Sequence, residues 1–252
     1  MFTNDENYPY LEEINEGILR HIPFTNGTRP AVLDVGCGQG ALAGEIAVRG
    51  YEVWGIEQDE FAVGRAAKRI DRVIQADLTD QGAVESDIGS KKFDQIVFSD
   101  VLEHVYDPLT VLRSYIGYLK PDGQVLISLP NVVNWHTRLA ILFGRFNYQD
   151  SGVMDRTHIR FFTFRTARQM VQAAGLSVQR ADYTPLIVRA LLPLAKKILT
   201  RRGDGETADP RSIIDSPAYR TYMRFVYPLE YRLGALRRPL FAFRIILVAT
   251  PA

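Results

Sequence analysis

Compact apolar runs alternate with amphipathic segments along most of the chain. Ala31–Val35, Tyr51–Glu57, Arg72–Gln75, Phe93–Ser99 and Gln124–Leu129 are short and rich in Val, Ile and aromatic residues, which predicts strands. Between them, Ala41–Arg49, Glu60–Ile70 and Asp107–Leu119 predict helices, the first ended by Gly50 and the third opened by Asp107-Pro108. Lys120-Pro121-Asp122-Gly123 predicts a turn. Strands and helices alternating at this spacing predict βαβ units and an α/β fold, a parallel sheet with helices on both faces. Ahead of it, Leu11, Ile14, Ile18, Leu19 and Ile22 fall near helical spacing and predict an N-terminal helix over Leu11–Ile22.

Beyond Pro130 the pattern loosens. Trp135–Phe143 predicts a helix, and Thr163 is placed to N-cap another over Arg165–Ala174, with Gly175 as its stop. Leu176–Tyr183 and Phe241–Thr250 predict two more strands. The stretch between them is apolar with Arg189, Lys196 and Lys197 over Leu186–Leu199, Gly/Asp/Arg-rich over Thr200–Pro210, and rich in Tyr and Arg over Ser216–Arg238. The organisation expected is one domain over residues 1–252: a cap helix (1–27), an α/β core (28–183), a helical or loop insertion (184–240) and a last strand (241–252).

Composition changes this picture little. With 46 % hydrophobic and 23 % charged residues the chain is an ordinary globular protein, not a disordered or fibrous one. Its one cysteine, Cys37, excludes a disulfide framework. The polar, acidic start lacks a signal-peptide pattern and no apolar run reaches a membrane span, so a cytoplasmic location is expected. A net charge of +1 argues against a nucleic-acid partner held by bulk charge. That total hides a split: residues 1–184 carry 18 basic and 24 acidic side chains, residues 185–252 carry 12 basic and 5 acidic. The positive tail is expected to meet something the body does not.

The chemistry begins at Gly36-Cys37-Gly38-Gln39-Gly40, a glycine loop between the first strand and the first core helix, preceded by Asp34. Glycines there permit positive φ and a close backbone approach to a ligand. Glu57 ends the second strand, where a carboxylate can accept both hydroxyls of a ribose. A tight turn alone would also explain the loop, but it has company. Asp77 follows the third strand and Asp100-Val101-Leu102-Glu103-His104-Val105 follows the fourth, all at the carboxyl ends where open parallel sheets bind ligands.

As an ordered set, Val32–Gly40, Glu57, Ala76-Asp77-Leu78, Ser99–Val105 and Leu119–Gln124 resemble the class I S-adenosylmethionine-dependent methyltransferases, over about residues 28–183. The resemblance implies a Rossmann-like, doubly wound seven-stranded sheet whose last strand is antiparallel, with S-adenosyl-L-methionine as cofactor. It implies that the Gly36, Cys37, Gly38 and Gly40 backbone packs beside the methionine part, that Glu57 binds the ribose, that Asp77 reaches the adenine amine with Leu78 nearby, that Asp100 lies near the methionine part or the methyl group, and that Asp34 and Gln58 also belong to the cofactor site. Methyl transfer from a sulfonium is an in-line displacement with a good leaving group already in place, so alignment and exclusion of water matter most. No His/Cys ligand spacing is evident along the chain, so no metal is expected.

The acceptor side rests on fewer signals. A hydroxyl acceptor needs a base, and histidine suits neutral pH. Of four histidines, His158 lies in Met154–Thr163, a segment that resembles the acceptor-side segment of ubiquinone-type O-methyltransferases and of bacterial methyltransferases of glycan and cell-envelope synthesis. His158 and Asp100 are the catalytic candidates. His136, Arg156, His158 and Arg160 are the substrate-binding candidates. His104 is expected to shape the turn after the fourth strand, and His21 to lie on the outside of the first helix. Cys37 is expected to pack. The acceptor expected is a small molecule or a glycan-linked group. The basic insertion offers a peripheral membrane contact, a lid or a homodimer surface. The competing functions are a non-catalytic adenosyl-binding or scaffold protein and a nicotinamide-dependent oxidoreductase, the latter opposed by the Gly-x-Gly-x-Gly spacing.

Overall fold

The computed structural model describes residues 14–185 and 221–252. Most of the 184–240 insertion, including Leu186–Leu199 and Thr200–Pro210, lies outside the described residues, as does the start of the expected N-terminal helix.

Seven strands form one sheet in the order β3-β2-β1-β4-β5-β7-β6. They are β1 Ala31–Val35, β2 Glu52–Glu57, β3 Arg72–Gln75, β4 Phe93–Ser99, β5 Leu119–Pro130, β6 Leu176–Pro185 and β7 Ala242–Pro251. Strand β7 runs antiparallel to both β5 and β6, and β1 to β5 pair in parallel. The helices are α1 Glu16–Leu19, α2 Ala41–Val48, α3 Glu60–Ala66, α4 Gln81–Ile88, α5 Pro108–Ile116, α6 Trp135–Leu142, α7 Phe164–Ala173, α8 Tyr227–Gly234 and α9 Arg238–Phe241. Among the described residues no helix is long and apolar enough to cross a membrane.

The two sheet faces follow from the period of two. Leu33, Val35, Ile96, Phe98, Ile127 and Ile245 project to one face, against Val84 of α4, Leu112 of α5 and Ala167 of α7. Val32, Val97, Leu126 and Ile246 project to the other, against Ile18 of α1 and Ile46 of α2. At the carboxyl edge this second stripe turns polar: two residues on from Val32, Val97 and Leu126 stand Asp34, Ser99 and Ser128, and two before Ile246 stands Arg244. That change of polarity places the site.

Three elements differ from the sequence reading. Helix α1 is short because Asn15 caps it at Ile18 N. The predicted turn 120–123 is a bulge inside β5, since Phe93 pairs with Leu119 but Gln95 with Gln124. Helix α4, capped by Asp80, was not predicted. The predicted Thr163 cap holds, with Thr166 answering it in a capping box.

Candidate functional site

The strand order reverses between β1 and β4, and a crevice opens there at the carboxyl ends. A cavity of about 1840 Å³ fills it. It is lined by Gly36, Gly38, Glu57, Asp77, Asp100 and His158, by His136 and Leu139 of α6, and by Phe143 just past that helix. Small-ligand sites are usually about 300–1,000 Å³. This volume exceeds the usual range of a single small-ligand site.

The glycine loop is built by sterics. Gly36, Gly38 and Gly40 have φ of 74°, 54° and 80°. A Cβ at Gly36 would lie 2.7 Å from Val101, and one at Gly40 3.0 Å from the Ala66 backbone. The bent loop turns its amides inward. Gly38 N donates to Glu57 Oε2 at 2.9 Å, while Gln58 N and Asp59 N donate to Oε1, both at 2.9 Å. Glu57 is thus fixed in direction at the end of β2. Burial raises its pKa, and these amides oppose the rise. Cys37 packs against Gly55, where a Cβ would come within 2.5 Å of its sulfur. Burial pushes its thiol pKa up, so it is an inert packing residue. At the end of β3, Asp77 Oδ1 accepts from Thr79 N and Thr79 Oγ, both at 2.8 Å. Leu78 is half-buried beside it on the same wall.

Asp34 is 2 % exposed and its Oδ1 has no hydrogen-bond partner. Burial, and then the Glu57 charge, push its pKa up to about 7. The sign follows. Between the unfolded value of 3.8 and about 7 the folded chain holds a proton that the unfolded chain has lost, so stability falls as pH rises through that window. Thermal unfolding from about pH 4 to pH 8 is expected to show this fall in the wild type and to flatten in Asp34→Asn. Equal slopes for both proteins would remove Asp34 as the cause.

Asp100 sits at the switch point with φ 56°, the one positive value outside glycine among the described residues. Its carboxylate is held on both sides: Ser128 Oγ donates to Oδ1 at 2.6 Å, and Arg244 Nε lies 2.6 Å from Oδ2. Asn15 Nδ2 reaches in from the start of α1 and donates to Ser128 Oγ at 2.8 Å and Ser99 Oγ at 3.1 Å. Asn15, Ser128 and Arg244 were missed in the sequence because α1, β5 and β7 meet only in the fold. Truncating Arg244 to Ala leaves Asp100 without its countercharge. We expect a loss of about 2 kcal/mol, between exposed and buried ion pairs, read as the denaturation midpoint.

His158 reaches the cavity because Ile159 N and Arg160 N both donate to the Glu103 carbonyl at 3.0 Å, tying its loop to the turn after β4. The His158 side chain is 7 % exposed, and Nδ1 lies 3.1 Å from the Val153 carbonyl. A carbonyl only accepts, so Nδ1 carries the hydrogen and a neutral ring keeps Nε2 as an acceptor. Nε2 lies 3.9 Å from Glu103 Oε1. Glu103 is fully buried and neither carboxyl oxygen has a partner. Burial first, then the Asp100 charge, push its pKa well up. His104 packs edge-on to His158 at 4.8 Å and sits 3.2 Å from the Thr157 carbonyl. Burial, followed by His158, lowers its pKa. Glu103, His104 and His158 offer ligand atoms all within 4.8 Å of one another, which makes them the group able to hold a metal ion among the described residues. The expectation of no metal rested on spacing along one segment, and these ligands come from two.

The remaining candidates separate. His136 lines the cavity. Arg156 does not: it is exposed and pairs with Asp150 at 2.5 Å. Arg160 also stays outside, with Nε donating to the Tyr106 carbonyl at 3.0 Å on the neighbouring surface. His21 is not on the outside of its helix but bonds Asp182 Oδ2 at 3.1 Å.

The family model described as "Methyltransferase domain" matches residues 7–181. The human mitochondrial ubiquinone biosynthesis O-methyltransferase is 29 % identical over 188 residues, which cover 70 % of this chain and 49 %, about half, of that protein. The ubiquinone biosynthesis O-methyltransferase of Chromobacterium violaceum is 31 % identical over 195 residues, 71 % of this chain and 78 % of that protein. The crystal structure of a SAM-dependent methyltransferase from Archaeoglobus fulgidus superposes with a TM-score of 0.57 at 20 % identity, covering 92 % of this chain and 90 % of that one.

Proposed function

The chain belongs to the class I S-adenosylmethionine-dependent methyltransferases, and from that footing we propose that it transfers a methyl group to oxygen of a small-molecule or glycan-linked acceptor. The observation that carries this reading is one cavity lined both by a backbone-held carboxylate, Glu57, and by His158, whose Nδ1 faces the Val153 carbonyl. The relatives named for O-methylation support oxygen as the methylated atom.

The residues fit the cofactor. Glu57 and Gln58 would hold the ribose, Asp77 and Leu78 would take the adenine, and Gly36, Gly38 and Asp34, whose Oδ1 has no hydrogen-bond partner, would hold the methionine part. The bound cofactor supplies a methyl group on a positive sulfur that leaves as a neutral thioether. The chain's own residues do the rest. Asp100, paired with Arg244, would supply a fixed dipole to the bound cofactor rather than a free base. His158 Nε2 takes the acceptor proton. The Glu103 carboxyl lies 3.9 Å from Nε2, the nearest acidic group to the ring once it carries that proton. His136 and α6 border the acceptor. Peripheral membrane contact or self-association through the 184–240 region, in a cytoplasmic setting, belongs to the same proposal.

A screen over phenols, nucleotide sugars and lipid-linked glycans, reading release of S-adenosylhomocysteine, tests it. Turnover with an oxygen acceptor is expected, unchanged by EDTA because His158 handles the proton. Loss of turnover in EDTA would assign the Glu103–His104–His158 group to a cation instead. Cofactor binding with no turnover on any acceptor would favour a non-catalytic adenosyl-binding protein.

A further inference from the structure

The chain from Tyr222 to Phe241 crosses the carboxyl end of β6 as consecutive helical turns: a wide turn Tyr222–Val226, α8, a tight turn Ala235–Arg237 and α9. Its inner side is fixed. Tyr231 stacks on Tyr183 at 4.9 Å and donates its hydroxyl to Asp182 Oδ1 at 2.6 Å. A Cβ at Gly234 would come within 2.9 Å of the Tyr183 hydroxyl. The outer side is apolar and uncovered: Phe225, Val226, Leu229, Leu233 and Leu236 are 65, 44, 58, 51 and 78 % exposed. Within α8, Leu229 and Leu233 are one turn apart and share a face, and Arg232, three residues on from Leu229, stands beside it. Arg224, Arg232, Arg237 and Arg238 are all exposed along the stretch. The one acid of the stretch, Glu230, is 4 % exposed and belongs to the inner side. Among the described residues of this stretch, the exposed charges beside the apolar positions are all positive.

We propose that this face docks the protein on an anionic phospholipid surface. Apolar side chains entering the headgroup boundary, with flanking arginines on lipid phosphates, match the pattern on both counts. A second copy of this chain fits less well, because an isologous contact would set arginine borders against each other with no exposed acid on the stretch to pair them. The placement has a use. Asn131 Nδ2, at the end of β5, donates to the Pro239 and Ala242 carbonyls at 2.9 and 3.0 Å, and Phe243 and Arg244, just past α9, line the cavity. Docking thus brings lipid beside the cavity rim. The inference rests on the peripheral-contact reading and moves that contact from Leu186–Leu199 to 225–237. It does not depend on which atom is methylated.

Co-sedimentation of the full-length chain with vesicles of phosphatidylcholine and phosphatidylglycerol tests it, with S-adenosylhomocysteine binding measured in parallel. The wild type is expected to partition to these vesicles and not to pure phosphatidylcholine, and to release at high salt. Leu229→Glu/Leu233→Glu is expected to cut partitioning about tenfold or more. Arg232→Ser/Arg237→Ser is expected to cut it about fivefold per arginine. Both are expected to keep ligand binding and melting temperature, which separates this outcome from misfolding and from failure of the methyltransferase reading. The proposal is overturned if the wild type stays in solution, if neutral vesicles bind it equally, or if neither double variant loses binding. It is equally overturned if light scattering shows the leucine variant dissociating a dimer that does not bind lipid.

Discussion

Alanine in place of Glu57 is expected to weaken S-adenosylhomocysteine binding about 100-fold or more. Two effects combine. A buried carboxylate accepting two hydroxyls contributes about 1.5–3 kcal/mol per charged hydrogen bond, and each 1.4 kcal/mol is about tenfold in affinity. The same carboxylate also fixes Gly38 N, Gln58 N and Asp59 N, so its removal loosens the loop against which the ligand packs. Glu57→Gln keeps one accepting oxygen and is expected to fall between wild type and alanine. Calorimetry on folded protein, checked by circular dichroism, reads this directly. An alanine variant that binds as the wild type does would move the ribose site away from the end of β2.

Replacing His158 by alanine is expected to lower kcat about 100-fold to 10,000-fold while leaving S-adenosylhomocysteine binding within about twofold. The ring is 7 % exposed, so some stability is lost with it. His158→Gln fills more of the space and separates packing from proton transfer. If His158 is the base, His158→Gln loses nearly as much rate as the alanine variant, since neither side chain takes the acceptor proton. Loss of cofactor binding in His158→Gln, or an unchanged kcat, would assign His158 to holding the loop through the Val153 carbonyl.

Much of this site was legible in the sequence, and the reason is local. The glycines, Glu57, Asp77 and Asp100 stand where strands end, and strand ends are marked by the switch from apolar run to polar residue. What escaped depended on contacts between distant segments. Arg244 reads as one more basic residue of the tail until β7 inserts antiparallel between β5 and β6 and sets it against Asp100. Glu103 reads as part of a short motif, and only burial without partners marks its carboxyl as unusual. Arg156 and Arg160 seemed placed for the acceptor, yet their loop turns them to Asp150 and the Tyr106 carbonyl. Helix α4 was hidden because Gln81–Ile88 carries a glycine and few apolar residues, leaving Val84 and Ile88 to anchor it. The expected Leu11–Ile22 helix showed the reverse fault. Its apolar period is real, since Ile18, Leu19 and Ile22 are buried, but α1 begins only after Asn15, which caps it and also bonds Ser99 and Ser128.

The central claim is that the crevice between β1 and β4 is an S-adenosyl site addressed by Glu57. Calorimetric titration of the full-length chain with S-adenosylhomocysteine, beside NAD and beside Glu57→Ala, tests it most directly. The account predicts saturable one-to-one binding of S-adenosylhomocysteine at about micromolar affinity, near −8 kcal/mol, no heat with NAD, and the large loss in the variant. Preference for NAD, or no binding of either ligand by folded protein, would contradict it.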